Sequence, residues 1–147
     1  MRTVRVQRGI EAQPEAVFDL ITDHAHYDRF RGIHASELLR EGDPPPNGLG
    51  ATRRVVSRPF RFEEEITAFE RPTRMDYLIT KINAPLEHQG ASIRLLEDRG
   101  RTIVEWTSGF RVPTPVVGGL MERAWSLALA RGFRRVLEDV ERMLTGR

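Results

Sequence analysis

The chain has 147 residues, the usual size of one domain, so we expect a single domain over residues 1–147. It contains no cysteine, which excludes disulfide bonds and cysteine metal sites. Its formal net charge is only +2 and its arginines alternate with glutamates along most segments, so we expect no nucleic-acid partner.

The first residues alternate polar and apolar side chains and contain no apolar core of a signal peptide. No apolar stretch of the sequence is long enough to span a bilayer. We therefore expect a cytoplasmic protein without integral membrane contact, present as a monomer or a homodimer.

The chain opens with a predicted strand over residues 3–11. Val4, Val6 and Ile10 fall on one face of this strand, and Arg8 falls on the same face. Proline and glycine signals and the apolar period predict the elements that follow. These are helices at 14–22 and 26–30, and strands at 34–41, 51–58, 60–70, 75–82, 88–97 and 102–112.

The strand at 60–70 directs one carboxylate, that of Glu64, at an apolar interior. Its neighbours on the same face are Phe60, Phe62, Ile66 and Ala68. A buried charge is costly unless it is paired or neutralised. Glu64 is therefore either half of an internal ion pair, with Arg53, Arg54 or Arg8, or an acid–base group in a cavity.

The sequence changes character after Pro115, where the apolar spacing becomes helical. Roughly 28 residues predict a helix about 40 Å long over 117–144. Its apolar stripe comprises Leu120, Met121, Ala124, Ala128, Leu129, Phe133, Val136, Leu137, Val140 and Leu144. This helix is the only element large enough to cover the sheet.

Three other side chains are candidates for a site. Tyr77 and Trp106 lie on inward faces of their strands, as core residues or as a pocket lining with polar tips. Strict alternation places His88 outside, and a bulge beside the proline loop would place it inside. The histidines lack the spacing of known metal motifs, so we expect no metal site.

At this point the chain resembles the START-like (SRPBCC) superfamily, and within it the polyketide cyclase/dehydrase and lipid-transport family. The resemblance rests on the order and spacing of several weak motifs along the whole chain. These are Ala12–Phe18, Leu20–Asp23 with Tyr27, Gly48–Ala51, Glu64–Ile66, Arg74–Tyr77 and Arg101–Thr107, followed by the long helix.

The resemblance implies an α+β helix-grip fold. In this fold a curved antiparallel sheet of about seven strands wraps round a long C-terminal helix, and two short helices follow the first strand. It also implies a hydrophobic cavity between sheet and helix, without a cofactor and without a universal catalytic motif.

We predict a small hydrophobic molecule, such as a lipid, polyketide or quinone, as the partner of this cavity. The predicted ligand contacts are Phe62, Glu64, Tyr77, Ile79, Ile93, Trp106, Met121 and Ala124. The alternatives are a cyclase or dehydratase that uses Glu64, His88 or Tyr77 as acid–base groups, and a domain that binds a partner protein. A carboxylate tied to arginine favours binding, whereas one beside a free His88 or Tyr77 favours catalysis.

Overall fold

The computed structural model describes residues 1–146. A long C-terminal helix follows seven strands, and two short helices interrupt the chain after the first strand. The elements are β1 (Arg2–Ile10), α1 (Pro14–Ile21), a 3₁₀ helix (His24–Arg29), β2 (Ala35–Arg40), β3 (Thr52–Ser57), β4 (Phe60–Glu70), β5 (Arg74–Ile82), β6 (Glu87–Asp98), β7 (Arg101–Arg111) and α2 (Gly118–Thr145).

The seven strands form one antiparallel sheet in the order β1-β7-β6-β5-β4-β3-β2. Only β1 pairs out of sequence, since it returns to β7 with Val6 opposite Trp106. The predicted helix-grip arrangement of about seven strands and one long helix is therefore confirmed. No helix within residues 1–146 is long and apolar enough to cross a membrane.

Most strands bury one face and leave the other in water, as their alternating sequences predict. Val4, Val6 and Ile10 of β1 are buried, and Arg8 lies on the same face. The Arg8 side chain is half-buried, and its Nη2 donates to Glu141 Oε1 of α2 at 2.7 Å. This arginine therefore ties the first strand to the last helix, outside the centre of the sheet.

One inward position of β4 was predicted wrongly. The pairing with β5 shifts register between Ile66 and Ala68, so strict alternation stops there. After the shift Phe69 pairs with Met75 and packs edge-on against Phe18, with 5.2 Å between ring centroids. Phe69, and not Ala68, joins the core, because an extra residue in one strand moves every later side chain to the other face.

A second bulge decides the position of His88. His88 pairs with Phe110, whereas Gly90 pairs with the adjacent Gly109, so two residues of β6 oppose one of β7. Gly90 has φ +117°, a backbone conformation that residues with a side chain rarely adopt. The bulge turns His88 to the inner face of the sheet, which is the alternative that strict alternation excluded.

The two halves of α2 differ in burial, which the single apolar stripe does not predict. In the C-terminal half (residues 133–145) Phe133, Val136, Leu137 and Val140 are all buried. In the N-terminal half (residues 118–132) only Gly118 is buried. Leu120, predicted in the stripe, is 72% exposed, because this half of the helix stands off the sheet.

Candidate functional site

A cavity of about 490 Å³ lies between the inner face of the sheet and α2. This volume is typical of small-molecule sites, which span roughly 300–1,000 Å³. Strands β3 to β7, the segment after the 3₁₀ helix and α2 all contribute to its wall. Most lining side chains are apolar or aromatic: Tyr27, Ile33, Val55, Phe60, Phe62, Tyr77, Ile79, Ile82, Leu86, Trp106, Phe110, Trp125, Ala128, Leu129, Phe133 and Val136.

A buried ion pair between Glu64 and Arg53 forms the main polar feature of this wall. The two residues lie directly opposite each other on β4 and β3, and Arg53 Nε donates to Glu64 Oε1 at 2.6 Å. Glu64 is 3% exposed and Arg53 is 1% exposed. Of the partners that the sequence left open, Arg54 is exposed and pairs with surface glutamates. The predicted internal ion pair is therefore made by Arg53.

Aromatic rings and a histidine enclose the Arg53 guanidinium. Its carbon lies 4.4 Å from the ring centroid of Tyr27 and 5.2 Å from that of Tyr77. Its Nη1 donates to His24 Nδ1 at 3.1 Å, while His24 Nε2 donates to the carbonyl of Asn47 at 2.9 Å. Burial, together with the nearby guanidinium, lowers the pKa of His24 to about 3, so this ring is neutral at pH 7.

Two oxygen atoms near the ion pair have no partner within residues 1–146. Glu64 binds Arg53 through Oε1 alone, so its Oε2 accepts no hydrogen bond from the described part of the chain. The hydroxyl of Tyr27 is buried and also unpaired. Burial raises the pKa of Glu64, and Arg53 opposes this shift by stabilising the carboxylate. An acceptor and a hydroxyl are thus available to a polar group that enters the cavity.

Tyr77 and Trp106 are linked on the floor of the cavity. Trp106 Nε1 donates to the Tyr77 hydroxyl oxygen at 3.0 Å, and its ring stacks on Phe133 of α2 with 4.2 Å between centroids. Burial raises the pKa of Tyr77 well above its usual range, and the charge of Glu64 adds to this effect. Tyr77 therefore keeps its proton and can donate it in a hydrogen bond.

His88 and Ser108 form a second polar group on neighbouring strands. The backbone N–H of Ile79 donates to His88 Nδ1 at 2.8 Å, which leaves Nε2 as the donor to Ser108 Oγ at 2.9 Å. Burial lowers the pKa of His88 to about 4, so the ring is neutral at pH 7. Because Ser108 Oγ accepts the hydrogen bond from His88, its own hydroxyl proton points in another direction. Ser108 also lines the cavity.

Most of the residues predicted from sequence meet in this cavity, and three do not. Those that line it are Phe62, Glu64, Tyr77, Ile79, His88 and Trp106. Ile93 is fully buried in the core, Met121 packs against the core, and Ala124 is exposed on α2. None of these three lines the cavity, because a packed core surrounds Ile93, Ala124 faces solvent, and Met121 lies one helical turn before Trp125, where the lining part of α2 begins.

Several lining residues were not predicted as ligand contacts from the sequence. Trp125, Leu129, Gly132 and Val136 of α2 line the cavity at intervals of three or four residues. The lining positions of α2 begin at Trp125, one residue after Ala124 and one helical turn after Met121, and this large aromatic residue is the signal that identifies them. Ser108, which lines the cavity, and His24, which contacts Arg53 without lining the cavity, had no such signal, because their residue types are also common in ordinary strands and helices.

No group of three or more histidine, aspartate or glutamate side chains within residues 1–146 is arranged to hold a metal ion.

A family model described as polyketide cyclase / dehydrase and lipid transport matches residues 1–144. No curated protein matches the sequence. Solved structures match this fold at low sequence identity and confirm that it is START-like.

A START superfamily protein from Mycobacterium smegmatis is 12% identical, with a TM-score of 0.78 over 97% of this chain and 99% of that one. TTHA0849 from Thermus thermophilus is 18% identical, with a TM-score of 0.78 over 99% and 98% of the two chains. The Aha1 dimer from Colwellia psychrerythraea is 13% identical, with a TM-score of 0.68 over 98% and 96%.

Proposed function

Because this chain belongs to the polyketide cyclase / dehydrase and lipid transport family, we propose that it binds a small hydrophobic molecule between its sheet and α2. The observation that carries the proposal is the cavity of about 490 Å³ with a mostly apolar and aromatic wall. A lipid, a polyketide or a quinone has the apolar surface that such a wall would bury, at about 25 cal/mol per Å².

The polar groups in the wall would orient this ligand. The wall offers only a few such groups, and all of them lie on the sheet or the 3₁₀ helix: Glu64 Oε2 and the hydroxyls of Tyr27, Tyr77 and Ser108. Pockets of this type take most of their affinity from apolar contact and their specificity from a few fixed polar atoms. A ligand with one or two hydroxyl or carbonyl groups on an apolar skeleton fits this pattern.

The contacts of the candidate acid–base groups favour binding over catalysis. Glu64 is tied to Arg53, which marks the arrangement expected of a binding cavity. Both ring nitrogens of His88 are engaged, one by the backbone of Ile79 and the other by Ser108. His88 therefore cannot exchange a proton with a substrate without first losing a partner, and the charge of Arg53 opposes the uptake of a proton by Glu64.

Native mass spectrometry of the freshly purified protein tests the proposal directly. We expect an additional mass that disappears when the protein is denatured, and its value would identify the captured molecule. A protein without additional mass can still be tested by titration with Nile red, an uncharged dye that fluoresces in apolar surroundings.

Two variants of β3 locate the binding of Nile red. Val55 is 2% exposed and lines the cavity, so Val55→Phe fills part of it from the sheet side. Val56 points to the opposite face of the same strand, so Val56→Phe is the matched control. We expect Val55→Phe to weaken Nile red binding by about tenfold or more, through lost apolar contact and overpacking.

The control should bind as the unchanged protein does, and thermal unfolding should confirm that both variants are folded. Equal binding by all three proteins, or no binding of the dye by the unchanged protein, would contradict the proposed cavity function.

A further inference from the structure

Three arginines of the cavity wall, Arg31, Arg131 and Arg135, are exposed or partly exposed and so mark its mouth, and Arg31 is paired with carboxylates. The Arg31 backbone N–H and Nε donate to the two carboxylate oxygens of Asp139, each at 2.8 Å. Its Nη2 donates to Glu138 Oε1 at 3.1 Å. Asp139 is buried and also bonds Arg142. The charges of Arg31 and Arg142 are therefore balanced by these two acids.

The other two arginines at the mouth, Arg131 and Arg135, have no such partner. Both line the cavity from α2, and neither forms an ion pair or a side-chain hydrogen bond within residues 1–146. Arg135 Nη1 lies 3.9 Å from the position that a Cβ would take at Gly32, another lining residue. A guanidinium group is thus placed at the mouth with its hydrogen-bond donors unused.

The interior of the cavity, as far as the described residues 1–146 form it, contains no such excess of positive charge. The cation of the inner wall, Arg53, is neutralised by Glu64, and His88 is neutral because its Nδ1 accepts a backbone N–H. The unpaired oxygen of Glu64 would repel a second carboxylate. An anionic group placed inside would therefore be opposed by Glu64, whereas the same group at the mouth would meet two arginines.

We propose that the ligand of this cavity is an amphipathic anion. Its apolar chain lies inside, and its carboxylate or phosphate is held at the mouth by Arg131 and Arg135. Guanidinium groups bind carboxylate and phosphate through paired, charge-assisted hydrogen bonds. The proposal rests on the proposed function of the cavity, which requires only that an apolar molecule binds there, and it adds the charge and the orientation of that molecule.

Competition between Nile red and two chains of equal length tests the added claim. Dodecanoic acid and dodecan-1-ol are titrated at pH 8, below their aggregation concentrations, into the protein with Nile red bound. We expect the acid to displace the dye about tenfold more tightly than the alcohol, the value of one favourable charge-assisted contact. The difference should shrink at high salt, because the mouth is open to solvent.

The double variant Arg131→Gln/Arg135→Gln should remove most of this preference and leave the affinity for the alcohol unchanged. Arg134→Gln is the control, since Arg134 is exposed on the same helix, does not line the cavity and carries the same charge. It should keep the preference of the unchanged protein.

Equal displacement of Nile red by the acid and the alcohol would overturn this inference and leave the proposed function intact. Binding of Nile red that neither chain displaces would have the same consequence. The same loss of preference in Arg134→Gln would also overturn it, because general attraction by the helix would then explain the effect. If Nile red does not bind at all, the proposed function fails and this inference fails with it.

Discussion

The two halves of α2 belong to the same helix but meet the rest of the protein in different ways. The C-terminal half buries Phe133, Val136, Leu137 and Val140, and α2 contacts β1, α1 and β7. The N-terminal half exposes Leu120 and Leu127 by 72% and 69%, and it covers the cavity.

A few aromatic contacts hold the N-terminal half above the sheet. The rings of Trp125 and Phe60, at the start of β4, lie 4.5 Å apart between centroids. Where the two halves of the helix meet, Phe133 stacks on Trp106. The contrast shows that one amphipathic helix can complete a packed core at one end and roof a ligand site at the other, depending on the distance to the sheet.

We expect the largest change in stability from a substitution in the polar wall of the cavity. A large loss there would show that the cavity end of the protein also contributes strongly to folding stability. Glu64→Gln removes the carboxylate that compensates Arg53, which is 1% exposed and cannot reach water. We expect the free energy of unfolding to fall by about 3–5 kcal/mol, the usual cost of an uncompensated buried charge. Urea unfolding at pH 7 measures this change.

The companion variant separates charge from packing. Glu64→Gln combined with Arg53→Met removes both charges, so we expect it to recover most of the lost stability. A double variant as unstable as Glu64→Gln alone would show that packing, and not the unpaired charge, is responsible.

A leucine from each half of α2 tests the contrast itself. Leu137 is fully buried in the C-terminal half, so Leu137→Ala should cost about 2–5 kcal/mol of unfolding free energy. Leu127 is 69% exposed in the N-terminal half, so Leu127→Ala should change it by no more than about 0.5 kcal/mol. Similar losses at both positions, measured by urea unfolding, would mean that the whole helix packs on the sheet.

A weaker effect concerns the pH dependence of stability at the cavity end. The pKa of His88 is lowered by burial from 6.5 to about 4, so the unfolded chain binds this proton at a higher pH than the folded protein does. The free energy of unfolding should therefore fall as the pH drops from about 6.5 to about 4, by at most about 1.4 kcal/mol per pH unit from this residue.

In His88→Gln this contribution disappears, so the decrease with falling pH should be less steep by up to the same amount. Urea titrations at several pH values between about 4.5 and 7 compare the slopes across the range in which this residue acts. Identical slopes in both proteins would show that His88 is as accessible to protons in the folded state as in the unfolded state.

The local sequence pattern predicted most of the secondary structure, because helices and strands depend on interactions between residues close in sequence. The start and end of each strand follow from alternation and from proline and glycine, and α2 was predicted to within a residue or two of its observed bounds, Gly118–Thr145. The sequence also indicated the buried carboxylate of Glu64 and gave an ion pair with an arginine as one of its two alternatives. Direct opposition in the β3–β4 hairpin then selected Arg53 over Arg54.

The β-bulges and the path of α2 could not be predicted from the local sequence pattern. One extra residue in β6 turned His88 into the cavity, and one in β4 exchanged Ala68 for Phe69. No local preference reports such shifts in advance, because they depend on how two strands align along their whole length. Likewise, the apolar spacing of α2 is the same whether a given turn touches the sheet or stands away from it.

The order of elements, the inward faces of most strands and the presence of a buried acid among apolar residues thus follow from the sequence, since backbone geometry and the cost of burying charge act locally. The volume of the cavity, the lining face of α2 and the position of two unpaired arginines at its mouth emerge only in the folded protein, as residues 1–146 describe it. These features depend on the separation and rotation of the helix relative to the curved sheet, which packing across the whole molecule fixes.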